Sequence, residues 1–314
     1  MASVKVSAAK STPLARNLPT FITFDKPMHE QTVHDLKKAI TAKNPKASSS
    51  CVVLKLTLKG ESKPLADHST LKEAGVEDGS EVTVKDLGPQ IGWRTVYLIE
   101  YAGPLVIHPL IYHFPRLFFG GAVQHSVLQK YVYAAVMLHF IKRELETLFV
   151  HRFSHGTMPF RNVFKNSGHY HILSGLLLAY SVYSPTFAAN SPYIRGTIRE
   201  NPNFLWSCLA VWLFAELSNL SAHLTLRSLR PAGTTKRAIP YGYGFSLVSC
   251  PNYFFETVAW TVIAVMTGSY AAWLFLVVGT YQMAVWAIKK HKNYKKEFGK
   301  DYPANRKAMF PFIF

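Results

Sequence analysis

Cysteine is scarce in this chain of 314 residues, and the three cysteines, Cys51, Cys208 and Cys250, lie far apart. They form no disulfide framework and have no metal-ligand spacing, which excludes a disulfide-stapled domain and a zinc finger. We interpret them as buried or reduced thiols. The first twenty residues also lack a continuous apolar segment, so the sequence predicts no cleavable signal peptide.

Acidic residues are also few. The chain has 18 Asp and Glu against 35 Lys and Arg, which gives a formal net charge of +17. A basic chain favours nucleic acid, a membrane surface or a polyanionic small ligand as its partner. No nucleic-acid-binding motif is present, and the basic residues flank apolar runs instead. We therefore predict membrane lipids, and no nucleic acid, among the partners.

Residues 1–87 have the composition of a small soluble domain. FITF (21–24) and CVVLKLTL (51–58) are strand-like, and TVHDLKKAI (32–40) has apolar residues at helical spacing behind Thr32, a plausible N-cap. This order, with the ending LKEAGVEDGSEVTV, resembles the ubiquitin-like β-grasp fold. The resemblance implies an N-terminal β-grasp domain over 1–87 with a docking or structural role.

Apolar segments dominate residues 88–314. A membrane-spanning helix needs about 20 mostly apolar residues. Six segments are candidates, near 93–114, 126–148, 169–187, 203–223, 252–268 and 270–289. We predict a multi-pass α-helical membrane domain of about six spans, and the clusters of Lys and Arg place both termini in the cytosol.

Polar residues inside apolar segments are candidates for function. Glu100 lies deep in WRTVYLIEYAGP (93–104), where a carboxylate costs about 2.5–3.5 kcal/mol and needs a partner or a proton. In LVSCPNYFFETVAW (247–260), Asn252 and Glu256 share a helical face beside Tyr253, and Pro251 fits the first helical turn. An interfacial tyrosine is the alternative for Tyr253.

A second polar stripe lies in ELSNLSAHLTLRSLRPAG (216–233). Its members step by four, four and three residues and end in two arginines suited to phosphate: Asn219, His223, Arg227 and Arg230. Anchoring of the arginines at the cytosolic boundary is the alternative. His151 and His155 are four apart and could share a metal, but the paired histidines of di-iron enzymes are missing. We predict no metal site.

Three blocks carry a family resemblance: SNLSAHLTLRSLRPAG, IPYGYGFSLVSCPNYFFE and HKNYKKEFGKDYPANRKAMFPFIF. They resemble the signature blocks of the steroid 5α-reductase superfamily. EYAGPL and IKRELETLFVHRFSHGTMPFRNVFKN are similar to very-long-chain trans-2-enoyl-CoA reductases. The resemblance covers essentially the whole chain. It makes residues 88–314 the membrane catalytic domain, and it explains the absence of a GxGxxG motif, since this family does not use a Rossmann fold.

The resemblance implies an endoplasmic-reticulum enzyme that uses NADPH to reduce the 2,3 double bond of an enoyl-CoA, the last step of fatty-acid elongation. Its implied partners are the acyl-CoA substrate and the condensing enzyme, ketoacyl-CoA reductase and dehydratase of elongation. The implied cofactor pocket is lined by Asn219, His223, Arg227, Arg230, Asn252, Glu256, Tyr294 and Arg306. Steroid reductases carry an aspartate where His223 aligns and a catalytic tyrosine where Phe140 aligns.

Tyr253 then supplies the phenol, as in the enoyl reductase branch. Hydride addition at C3 puts negative charge on the thioester oxygen, and we expect Tyr253 to stabilise it by hydrogen bonding. Whether Tyr253 or water protonates C2 stays open. Glu100 is expected to orient or polarise this site, with a pKa raised by burial. Asn252 and Glu256 are expected to hold the nicotinamide amide, and the arginines the phosphates.

Other functions remain alternatives at this stage. One is a superfamily reductase acting on a sterol or polyprenol enone, against which the N-terminal domain and EYAGP argue. Another is a membrane prenylcysteine methyltransferase, which would bind S-adenosylmethionine. A membrane adaptor and a di-iron hydroxylase are the remaining two.

Overall fold

The structure is a computed structural model that describes residues 2–9, 18–43, 52–61, 63–153, 156–231 and 238–314. The chain divides into two compact units. The first comprises Met1–Gly92 with Thr157–Phe160, and the second comprises Trp93–Gly156 with Arg161–Phe314. Cys51 and His155 lie outside the described residues.

The first unit is a mixed sheet with a helix, α1 (Val33–Lys43), whose apolar face contributes to the same core. The strands are β1 (Ala2–Ala8), β2 (Thr20–Phe24), β3 (Val52–Leu58), β4 (Glu81–Gly92) and β5 (Thr157–Pro159). Their order is β2-β1-β4-β3, with β5 paired to β4. β1 and β4 are parallel at the centre of the sheet, and the other pairs are antiparallel. A β-grasp domain is compatible with this topology, and its ubiquitin-like character stays a prediction.

Thr32 caps α1, as predicted. Its Oγ1 accepts a hydrogen bond from the backbone N–H of Asp35 at 3.2 Å, and Asp35 accepts one from the backbone N–H of Thr32 at 3.0 Å. The hydrogen bonds from Thr32 lower the pKa of the Asp35 carboxyl. This reciprocal cap satisfies donors that the first turn leaves free.

The second unit is helical. Its α-helices are α2 (Trp93–His113), α3 (Pro115–Phe119), α4 (Val127–Phe149), α5 (Asn162–Ser167), α6 (Leu178–Val182), α7 (Pro202–Ser228), α8 (Pro251–Thr267) and α9 (Tyr270–Phe298). A π-helix (Gly168–Leu177) joins α5 to α6. Short 3₁₀ turns lie at Pro185–Phe187, Ile198–Glu200 and Gly299–Asp301.

The prediction of about six membrane spans is wrong. Each predicted segment contains helix, but among the described residues only two helices are long and apolar enough to cross a membrane, Pro202–Ser228 and Tyr270–Asp301. α4 carries four charged residues between Lys142 and Glu146 and its N-terminal Lys130, and α2 contains Glu100 and His108 among its apolar residues. α8 has only 17 residues, about 25 Å at the rise of a helix. The segment 169–187 is broken by the change from π-helix to α6.

Many large apolar side chains are exposed on the helices of this unit. Val106 is 58% exposed, Trp206 is 61% exposed and Val277 is 60% exposed. Exposed apolar patches mark protein or membrane contacts. Together with the two long apolar helices, they indicate a membrane protein.

The α8–α9 connection is a tight helical hairpin at Thr267-Gly268-Ser269. Gly268 ends α8 with a φ of 66°, in the left-handed region where glycine is favoured. Ser269 then caps α9, since its side chain accepts a hydrogen bond from the backbone N–H of Ala272. The hairpin fixes the two helices that carry Tyr253 and Tyr294.

Candidate active site

The polar residues of α7 and α8 meet at the contact between these helices. Asn219 donates from Nδ2 to the backbone oxygen of Asn252 at 2.8 Å and to Oε2 of Glu256 at 3.1 Å. Nδ2 of Asn252 lies 3.4 Å from Nε2 of His223. The structure therefore brings together four of the predicted cofactor-binding residues, Asn219, His223, Asn252 and Glu256.

A cavity of about 420 Å³ opens beside this polar contact. It is lined by Arg143, Arg152, Arg227, Arg230 and Lys290 and, among its described lining residues, by no carboxylate. Its other lining residues include Trp93, Tyr97, His151, Phe153, His223, Asn252, Tyr253 and Tyr294. Such a site suits a ligand with several negative charges and a planar ring, because Arg binds phosphate and aromatic side chains stack on rings.

Four predicted site residues lie outside the lining of this cavity: Asn219 and Glu256 at the α7–α8 contact, Arg306 and Glu100. Arg306 is 3% exposed, with its guanidinium 5.5 Å from the Tyr241 ring and 5.1 Å from the Tyr302 ring. Its Nε and Nη1 have no hydrogen-bond partner among the described residues. Glu100 is 1% exposed on α2, and its Oε1 is likewise without a partner there. Buried polar atoms of this kind are costly unless a ligand or water satisfies them.

A buried network of charges supports the α7–α8 contact from α4. His139 lies between two carboxylates, with Nδ1 2.7 Å from Glu216 and Nε2 3.3 Å from Glu256. Lys142 contacts Glu216 at 2.6 Å and donates to Oδ1 of Asn219 at 2.7 Å. The network orients Asn219 and Glu256 toward each other.

The network continues along α4 to the cavity. Arg143 pairs with Glu146 at 2.7 Å and donates to the hydroxyl of Tyr101 at 2.8 Å. Glu146 in turn lies 3.0 Å from Nδ1 of His223. The roles of His139, Lys142 and Arg143 were not predicted from the sequence. The signal available was that α4 places four charged residues, together with His139, in an otherwise apolar helix.

Glu146, His151 and His223 form a cluster whose ligand atoms lie within 4.8 Å of one another. Three such groups can in principle hold a metal ion. Arg143 already pairs with the Glu146 carboxylate at 2.7 Å, and its positive charge disfavours the binding of a metal cation. Burial, with repulsion from Arg143, lowers the pKa of His151, so its ring is neutral at neutral pH. The absence of a metal stays a prediction.

Tyr253 faces the cavity next to α9. The Lys290 ammonium lies 5.3 Å from the centre of the Tyr253 ring, and the Trp286 ring lies 6.4 Å from it. None of the described residues hydrogen-bonds to the phenolic oxygen. The phenol is therefore available to a ligand in the cavity. Lys290 and Tyr97 were not predicted as site residues from the sequence. Lys290 stands in a basic segment whose composition resembles that of segments that bind lipid headgroups.

Comparison with known proteins shows the family of this chain. Residues 156–314 match the family described as 3-oxo-5-alpha-steroid 4-dehydrogenase. A Schizosaccharomyces pombe protein named as an enoyl reductase is 53% identical over 249 residues, 79% of this chain and 81% of that protein. The "Very-long-chain enoyl-CoA reductase" of Dictyostelium discoideum is 39% identical over 90% of this chain and 92% of its own length. A probable very-long-chain enoyl-CoA reductase of Caenorhabditis elegans is 40% identical over 93% of this chain and 94% of its own.

The fold and the matches define the class as a membrane oxidoreductase that acts on CH–CH groups. The chain belongs to the steroid 5α-reductase superfamily and, within it, to the family of very-long-chain enoyl-CoA reductases. The resemblance of the three signature blocks is thereby confirmed.

Proposed function

We propose that this chain reduces the 2,3 double bond of very-long-chain trans-2-enoyl-CoA with NADPH and releases the saturated acyl-CoA, the last step of microsomal fatty-acid elongation. Reduction of enoyl-CoA follows from membership of the family. The observation that carries the proposal is the cation-lined cavity with a free phenol, that of Tyr253, in its wall. Both a nicotinamide dinucleotide and an acyl-CoA bring several phosphate charges, which such a cavity attracts.

The residues present fit a nicotinamide cofactor. Asn252 has a buried Oδ1 without a partner among the described residues, which can accept a hydrogen bond from the carboxamide. Asn219 donates to the backbone oxygen of Asn252 and to the carboxylate of Glu256. For the phosphates, Arg227 and Arg230 line the cavity, and Arg306 has two buried nitrogen donors with no hydrogen-bond partner among the described residues. His223 and Tyr294 complete the proposed cofactor residues. When bound, the nicotinamide supplies a hydride to C3 of the substrate.

The chain's own residues act on the charge that this transfer creates. As C3 gains electrons, negative charge gathers on the thioester oxygen, and the phenol of Tyr253 donates a hydrogen bond to it. A donor held in place before the reaction costs no reorganisation and is strong in a site that excludes water. Glu100 orients this site from α2, one turn beyond Tyr97 in the cavity wall.

The substitution Tyr253→Phe tests the proposal. We expect it to leave NADPH binding intact, measured by cofactor fluorescence in detergent, and to lower kcat for a long-chain trans-2-enoyl-CoA by about 10²–10³-fold, the usual cost of one oxyanion donor. Tyr270→Phe is the matched control, since Tyr270 is 93% exposed and lies outside the cavity. Normal turnover in Tyr253→Phe would remove Tyr253 from the mechanism.

A superfamily reductase of an enone sterol is the competing function, because the matching family is described by a steroid reaction. The wild-type protein should oxidise NADPH with the enoyl-CoA and not with an enone sterol at equal concentration. The reverse preference would overturn the proposed substrate.

We place the protein in the endoplasmic reticulum membrane with both termini in the cytosol. The basic residues at the end of α9, among them Lys289, Lys292 and Lys295, support a cytosolic C-terminal end, because cytoplasmic flanks of membrane helices are rich in Lys and Arg. The condensing enzyme, ketoacyl-CoA reductase and dehydratase of elongation are the proposed partners, since they produce its substrate.

A further inference from the structure

Lys290 is a cation of the cavity wall that belongs to none of the ion pairs described above. Lys142 lies 2.6 Å from Glu216, and Arg143 lies 2.7 Å from Glu146, so both have carboxylate partners. Lys290 pairs with no carboxylate of the described residues. Its Nζ lies over the ring of Tyr253, 5.3 Å from the ring centre.

α9 contacts this ring with two side chains. Trp286 and Lys290 are four residues apart and therefore share a helical face. The Trp286 ring centre is 6.4 Å from that of Tyr253, with the planes tilted by 46°. One face of α9 thus packs an indole and an ammonium against the phenol that faces the cavity.

We propose that Lys290 is the positioning residue of Tyr253. Its ammonium holds the ring by a cation–π contact, and its charge draws electron density from the phenol, which makes the O–H a stronger hydrogen-bond donor to the developing thioester oxyanion. No proton has to leave Lys290 for this role. The inference rests on the proposed function, in which Tyr253 serves that oxygen.

Replacing Lys290 with methionine keeps the length of the side chain and removes the charge. We expect Lys290→Met to lower kcat for enoyl-CoA by about 5- to 30-fold, as befits a cation–π contact. The KM for enoyl-CoA and the Kd for NADPH should stay within about two-fold, because Lys290 acts through the phenol rather than on a phosphate. Lys290→Arg should restore most of kcat. Lys289→Met, which removes an exposed charge from the same helix, should behave as wild type.

A double variant shows whether the effect passes through the phenol. In the Tyr253→Phe background, Lys290→Met should cause no further loss of kcat, because residues that act as a unit are not additive. Independent, multiplying losses would overturn the inference, as would a rise in KM or in the NADPH Kd with kcat unchanged. Thermal unfolding in detergent reports whether Lys290→Met folds, and Lys290→Gln replaces it if it does not.

The two proposals can fail separately. If wild-type protein does not reduce any long-chain enoyl-CoA, the proposed function fails. If wild type reduces it and Lys290→Met matches wild type, only the role of Lys290 fails.

Discussion

At the scale of single residues, His139 is the centre of the buried charge network. It is 3% exposed and separates Glu216 from Glu256, two carboxylates that would repel each other at close range. A buried charge is stabilising only while its partners are present, because desolvation is not otherwise repaid. The imidazole is therefore required for both carboxylates to stay ionised in the interior.

Replacing His139 with phenylalanine should lower the free energy of unfolding by about 3–5 kcal/mol, the usual cost of leaving a buried charge without its partner. Chemical denaturation in detergent measures the loss. NADPH binding should weaken as well, because Glu256 loses the contact that orients it toward Asn219. The control is His113→Phe, an exposed histidine, and equal stability of the two variants would contradict the role of His139.

At the scale of elements, the π-helix Gly168–Leu177 packs closely against α2. The Nε2 of His171 lies 2.8 Å from the backbone oxygen of Ile99, and a Cβ at Gly103 would overlap the His171 ring. Glycine at 103 thus permits a close approach of two helices. π-helical turns are rare and often occur at functional sites, and here the turn packs beside Glu100.

Gly103→Val should destabilise the protein by about 1–3 kcal/mol, the cost of overpacking. It should also lower kcat, because the displaced α2 carries Tyr97 and Glu100. Gly121→Val is the matched control, since a Cβ at Gly121 meets no atom within 4 Å. Thermal unfolding and kcat are compared for both, and an unchanged unfolding temperature for Gly103→Val would refute the close contact.

Sequence periodicity predicted where the apolar helices lie. It did not predict how many of them are long and apolar enough to cross a membrane. Each of the six apolar segments contains helix, because burial of an apolar helical face requires such runs. The short helices α3 and α5 were not predicted. The change to a π-helix at Gly168 depends on packing, which no run of apolar residues encodes. The predicted segment 252–268, by contrast, already has the 17-residue length of α8.

The candidate site was partly visible in the sequence. Asn219, His223 and Arg227 repeat at helical spacing, so their common face could be predicted. The partners of Glu216 could not, since His139 precedes it by 77 residues and only tertiary packing brings the two together. Lys290 was invisible for the same reason, because its partner Tyr253 lies on another helix.

At the scale of the whole molecule, each of the two units has a main buried core of its own among the described residues. One includes Val33, Leu36 and Ile40 of the N-terminal unit, and the other includes Phe140 and Trp260 of the helical unit. Every proposed site residue belongs to the helical unit. A substitution in the core of the N-terminal unit should therefore destabilise that unit without changing the catalytic residues.

Leu36→Ala tests this separation. Leu36 is fully buried, so truncation should cost about 2–5 kcal/mol in the N-terminal unit. Hydrogen exchange of the unit should accelerate, while kcat/KM for enoyl-CoA stays unchanged. Lys38→Ala, an exposed change on the same helix, should alter neither. A matching fall in kcat/KM would mean that the N-terminal unit contributes to turnover.

The charge network also restricts how this sequence can change over time. On α4, His139 and Lys142 pair with Glu216 of α7, and His139 also pairs with Glu256 of α8. A substitution at His139 therefore leaves buried carboxylates on two other helices without this partner. Single substitutions among these residues are therefore destabilising. A tolerated change requires compensating substitutions at the partner positions. An engineer who moves this cavity to another scaffold has to transplant α4, α7 and α8 together.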